Sequence, residues 1–149
     1  MPPLRHLLMF IVSLLALSES LFAQFDFVVT KKCAEAGNAE SQFTLGWRYD
    51  EGRGLPQDHA EAAKWYRKAA DQGHSDAIFF LGISHLYGSG VPKDEVESYA
   101  WFNILAVSNE QAEQKRDLIK LTPEKKAQAQ KRSTELFNEI EARKKAAGK

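Results

Sequence analysis

Residues 45–58, LGWRYDEGRGLPQD, are the first place where chemistry could sit. Backbone amides around Gly52 and Gly54 could cradle a phosphate, as glycine loops do where a strand passes into a helix. The segment ahead of the loop instead carries a helical apolar period. It also lacks the third glycine of a dinucleotide fingerprint, and no Gly-Lys-Ser or Gly-Lys-Thr follows. His59, His74 and His85 stand 15 and 11 residues apart, matching neither HExxH nor any other close ligand pair. His74 with Asp76 could touch a metal, but both sit in a turn where they serve equally well as helix-start groups. No serine occupies a GxSxG elbow. Cys33, the single cysteine, has no histidine near it in sequence and cannot form an internal disulfide, so it reads as an idle or buried thiol. Most carboxylates are accounted for by helix caps or by surface pairs with Lys and Arg. The sequence therefore assigns no catalytic residue, no metal and no cofactor.

Composition narrows the class of work. The chain has 149 residues, 44% hydrophobic and 27% charged, which suits one globular domain. Twenty Lys and Arg balance twenty Asp and Glu, so no global field attracts nucleic acid or an anionic membrane. Residues 1–23 have a short basic region (Arg5, His6), an apolar run from Leu7 to Leu17 and a small residue at Ala23, the layout of a cleaved export signal. The apolar run is too short to span hydrocarbon, which needs about 20 residues. The expected location is periplasmic or secreted, with no stable membrane span after cleavage.

The elements that position these residues emerge from an internal repeat. Residues 38–73 and 74–109 align without a gap at an offset of 36. Phe43/Phe79, Leu45/Leu81, Gly46/Gly82, Gly52/Gly88, Gly54/Gly90, Pro56/Pro92, Asp58/Asp94, Glu61/Glu97, Trp65/Trp101 and Ala70/Ala106 all match. Each unit predicts two helices. In the first helix, Ser41, Leu45 and Tyr49 form one stripe while Phe43 and Trp47 form another, as expected for an element touched on two sides. Gly46 and Gly82 lie inside these helices at a cost of about 1 kcal/mol each relative to Ala. That cost implies close approach of a neighbouring helix. Asp58 with Glu61, and Asp94 with Glu97, predict capping boxes for the second helices, and Ala62, Trp65, Tyr66 and Ala69 mark a core face. Gly73 marks the end of that helix. The glycine loop is thus the turn of a repeat.

At this point LGWRYDEGRGL with Asp58 and AAKWYRKAADQG closely resembles the Sel-one-like repeat, a helical hairpin related to the tetratricopeptide repeat. LGISHLYGSGV with Asp94 and SYAWFNILAVSN resembles it more loosely, departing at His85 and in the last turn. The tail QKRDLIKLTPEKKAQAQ is similar to the closing segment of many bacterial members. It predicts a helix from Glu110 to Leu121, then one capped by Thr122 and Pro123 with Ala129, Leu136, Phe137 and Ile140 on one face. The expected fold is all-α: a short right-handed alpha-alpha superhelix, or solenoid, of two repeats. A signal peptide (1–23) and a lead-in (24–37) precede the repeats, and a C-terminal helical cap (110–149) closes them.

The resemblance implies a non-catalytic adaptor that holds a protein or peptide partner. A cell-wall or beta-lactam-processing hydrolase is the alternative, because some cysteine-rich relatives are associated with penicillin binding. Those relatives clip each hairpin with a cysteine pair that is missing here, so no activity is carried over. By helical phase, the partner-binding groove would be lined by Thr44, Arg48 and Glu51, then Phe80, Ser84 and Tyr87, then Arg116 and Lys120. Such a row would suit an acidic or aromatic segment. With so few repeats, a second copy could cover an end face as a homodimer.

Overall fold

The computed structural model describes Met9 and residues 24–148. The expected export signal lies outside the described residues, save Met9. Among the described residues every element is a helix: α1 over residues 24–35, α2 Ala39–Glu51, α3 His59–Ala70, α4 Ser75–Tyr87, α5 Glu95–Leu105, α6 Glu110–Leu118 and α7 Pro123–Ala146. They stack as an αα solenoid, with α2/α3 and α4/α5 as the two hairpins. Among the described residues no helix is long and apolar enough to cross a membrane.

The glycine pattern sets the hairpin geometry. Gly52 and Gly88 take left-handed conformations (φ 68° and 74°) and their amides close on the carbonyls of Arg48 and Ser84, ending α2 and α4. A Cβ at Gly46 would stand 2.8 Å from Tyr66 Cδ1, and one at Gly82 2.7 Å from Phe102 Cε1. The close approach read from the sequence is therefore a ring of the second helix lying flat on the first helix's backbone. Ser98 strengthens it in the second hairpin by donating to the Gly82 carbonyl at 2.8 Å.

Asp58 accepts from the amides of Ala60 and Glu61, both at 2.9 Å, and Asp94 from those of Val96 and Glu97. Such caps are worth about 1 kcal/mol each. The reciprocal half of the expected capping box is absent. The amide of Asp58 donates to the Tyr49 carbonyl and that of Asp94 to the His85 carbonyl, both at 2.9 Å, so each is already engaged by the preceding helix. Glu61 turns to Lys64 and Glu97 to Arg132 instead.

The main core joins both hairpins and the cap through Tyr66, Trp101 and Phe102, with Ala129, Leu136 and Ile140 from α7. A smaller cluster of Ala34, Leu45 and Trp65 holds α1 to the first hairpin. The 24-residue α7 reaches back over the array. Arg132 pairs with Glu97 of α5, and Arg143 pairs with Asp71 at the end of α3. Its buried seam is Ala129, Ser133, Leu136 and Ile140, all on one stripe at helical spacing. Phe137, expected on that face, is 51% exposed because it sits one position around the helix from Leu136. The helix α6 stops at Leu118 rather than Leu121, and Ile119 turns extended (ψ 110°) and tucks into the core. The helix α3 likewise ends at Ala70, before Gly73, whose amide closes on the Ala70 carbonyl.

Candidate functional site

The first helices carry the surface that packing leaves over. On α2, Leu45 and Gly46 are buried and Phe43 joins an aromatic run with His74, Tyr66 and Phe80 at centroid distances of 4.8, 5.8 and 5.8 Å. The remaining side of α2 includes Thr44, half-buried, and Glu51, exposed. Trp47, also half-buried, has the Arg53 guanidinium 4.0 Å from its ring centroid.

The eight residues of the expected groove divide. Thr44, Glu51, Tyr87 and Lys120 keep accessible side chains, and Tyr87 is 66% exposed. Arg48 is engaged by Asp26 of α1 and lies 6.0 Å from the Phe27 ring, so it faces the preceding helix. Phe80 stacks on Tyr66 at 5.2 Å, within the hairpin-to-hairpin contact. Ser84 is buried, 7% exposed. Arg116 is held by Asp117 at 2.8 Å and by Glu113 at 3.5 Å. Among the described residues no side-chain hydrogen bond, ion pair or ring contact joins two of the eight. Arg48 and Phe80 each meet the element before their helix, α1 for Arg48 and the first hairpin for Phe80.

Arg116 and Lys120 do come together, in an open cleft of about 320 Å³ that Tyr99, Asp117, Ile119, Leu121 and Lys126 complete. The Asp117 carboxyl is held below the usual range by its hydrogen bond from Arg116, with the positive charges of Lys126 and Lys120 adding to the effect. Tyr99 and Lys126 were not foreseen, because they reach the cleft from α5 and α7 and no repeat offset connects them to the row.

A second constellation is confined to the first hairpin. Asp50 receives His59 Nδ1 at 2.7 Å on one oxygen and the Tyr66 hydroxyl at 3.3 Å on the other. Burial, reinforced by the negative charge of Asp50, pushes the Tyr66 phenol well above its ordinary range. The arrangement ties α2 to α3. Cys33 is an exposed free thiol on α1, not a buried one. His74 is the N-cap of α4, its Nδ1 accepting from the Ala77 amide at 3.3 Å while Nε2 meets Glu40 at 3.0 Å.

Comparison with known proteins places this geometry. The Sel1 repeat pattern matches residues 39–74 and 75–106. The structure is similar to a Sel1 repeat protein from Oxalobacter formigenes, with 35% identity, TM-score 0.57, and coverage of 59% of this chain and 67% of that one. It is also similar to a protective antigen of uropathogenic Escherichia coli strains displaying an SLR fold, with 33% identity, TM-score 0.74 and 81% of this chain covered. The chain spans 27% of that antigen's length. No curated protein matches it.

Proposed function

The chain belongs to the Sel1 repeat family, and from that membership we propose that it is a non-catalytic scaffold of the bacterial envelope that binds a protein or peptide partner. The observation that carries this reading is the surface left on the first helices. Thr44, Glu51 and Tyr87 remain accessible on α2 and α4, and Lys120 continues the row past α6. An exposed tyrosine among polar groups is the kind of side chain that anchors protein interfaces. The layout of residues 1–23 favours export.

Substituting Glu51→Lys with Tyr87→Ala tests the reading, because both side chains are exposed and their loss leaves the core intact. Capture of the partner in a pull-down from the native envelope should fall at least tenfold with unchanged helical circular dichroism. Undiminished capture would place the binding face elsewhere. Arg48→Glu is a poorer probe, since it would set a carboxylate against Asp26 and loosen α1.

Homodimerisation has its own support in α1, whose Phe25, Val28 and Val29 are 67%, 60% and 42% exposed. Val28→Glu should shift a dimer to monomer in sedimentation, whereas a wild-type chain that is monomeric at every concentration removes this part of the reading.

A further inference from the structure

The cleft between α5, α6 and α7 has the makings of a specific subsite. Three cations converge on it, from Arg116, Lys120 and Lys126. Asp117 offsets one of them directly, and Glu113 bonds Arg116 from outside the lining. The Arg116 Nη1 also donates to Asn103 Oδ1 at 3.5 Å, which fixes the guanidinium against α5. Lys120 Nζ reaches the Asp117 carbonyl at 3.4 Å, so its ammonium hangs at the rim. Lys126 has no ion pair or hydrogen bond from its side chain among the described residues.

Tyr99 supplies an independent observation. It is only 7% exposed yet it lines the cleft, and its hydroxyl has no hydrogen-bond partner among the described residues. A phenol so deeply placed ordinarily finds a partner. The hydroxyl is not among the sealed polar atoms, so solvent reaches it. The remaining walls, Ile119 and Leu121, are apolar. A volume of about 320 Å³ is at the lower end of ligand pockets, which run from about 300 to 1,000 Å³.

We propose that this cleft takes a peptide carboxylate, with Tyr99 and Lys126 as its donors, Lys120 closing the rim, and Ile119 and Leu121 receiving the adjoining aliphatic side chain. The apolar walls favour a carboxylate on a peptide over free phosphate, which would leave them unused. This deepens the scaffold reading by giving the partner an anchored acidic end, and it rests on that reading only for the partner being a protein.

The test is a ¹⁵N-detected titration of the full chain with a tripeptide Ala-Ala-Leu bearing a free C-terminus, with its C-terminal amide, and with inorganic phosphate. The free acid should shift the amides of Tyr99, Lys120 and Lys126 and bind at least tenfold more tightly than the amide or phosphate. Lys120→Glu with Lys126→Glu, both exposed, should lower that affinity at least tenfold with circular dichroism unchanged. Tyr99→Phe should lower it severalfold while the neighbouring amide shifts stay native. Equal binding of acid and amide, equal or tighter binding of phosphate, or shifts confined to residues outside the cleft would overturn the proposal. Such a failure leaves the Glu51/Tyr87 pull-down untouched, so the two readings fail separately.

Discussion

The two hairpins share a pattern and differ in what fills it. In the first, Asp50, His59 and Tyr66 form a polar bridge between helices. In the second the same positions hold Leu86, Glu95 and Phe102, and Phe102 is fully buried. Trp65 of the first hairpin sits in the small cluster with α1 and is 9% exposed, whereas Trp101 is sealed, with the Arg67 guanidinium 5.2 Å from its ring. The second hairpin has a neighbour on both sides, α3 before it and α7 behind it. The position that holds a phenol bound to Asp50 between α1 and α4 is thus a dry ring between α3 and α7, while Ser98 still ties α5 to α4 through the Gly82 carbonyl.

The largest expected effect comes from the tryptophans. Trp101→Ala should cost about 3–5 kcal/mol in denaturant unfolding. Trp65→Ala should cost less, since its cluster is smaller and already touches solvent. Equal losses would break the distinction between a dry and a wet hairpin.

The second glycines of the two loops give the next contrast. A Cβ at Gly90 would stand 2.0 Å from the His59 carbonyl oxygen, because the second loop packs on the start of α3. At Gly54 nothing lies within 4 Å. Both residues have positive φ, 71° and 79°, so each alanine carries a backbone cost of about 1–2 kcal/mol. Overpacking adds about 1–3 kcal/mol at Gly90 alone. Thermal unfolding of Gly90→Ala and Gly54→Ala should separate accordingly, and identical melting points would mean that the loop contact is not formed.

Tyr66→Phe converts one member of the polar bridge to its second-hairpin counterpart and should cost about 1 kcal/mol at neutral pH. The pH dependence has a definite sign. The folded state holds the phenolic proton more tightly than an unfolded tyrosine, whose pKa is about 10. The stabilisation is complete below that value and is lost as pH rises above it. The stability difference between wild type and Tyr66→Phe should therefore shrink above about pH 10. A difference that is flat across that range would contradict the burial of the Tyr66 phenol beside Asp50.

The smallest effect is expected where α5 pairs with the cap helix α7. Glu97→Gln should cost about 1 kcal/mol or less, because its partner Arg132 also reaches Glu135 and Glu139. The matched Glu61→Gln in the first hairpin, whose partner is the exposed Lys64, should be indistinguishable from wild type in the same unfolding assay.

The helices, the caps and the buried glycines were legible because they depend on neighbours a few residues away or on the 36-residue period. Arg48 was misplaced in phase for a different reason: its partner Asp26 belongs to α1, which lies outside the repeat. Phe137 shows how a stripe one position too wide takes in a surface ring. The amides of Asp58 and Asp94 went to the carbonyls of Tyr49 and His85, a pairing that only the closed loop creates. Tyr99 and Lys126 stayed invisible as site residues because the cleft exists only where three helices meet.

Partner capture through the open face of the first helices is tested most directly by crosslinking. A photo-crosslinking amino acid placed at Tyr87, on that face, and separately at Lys131, which is exposed on the outer side of α7, compares the two surfaces in the native envelope. One strong protein adduct is expected from position 87 and none from position 131. Adducts of equal yield from both positions, or from position 131 alone, would contradict capture through the open face.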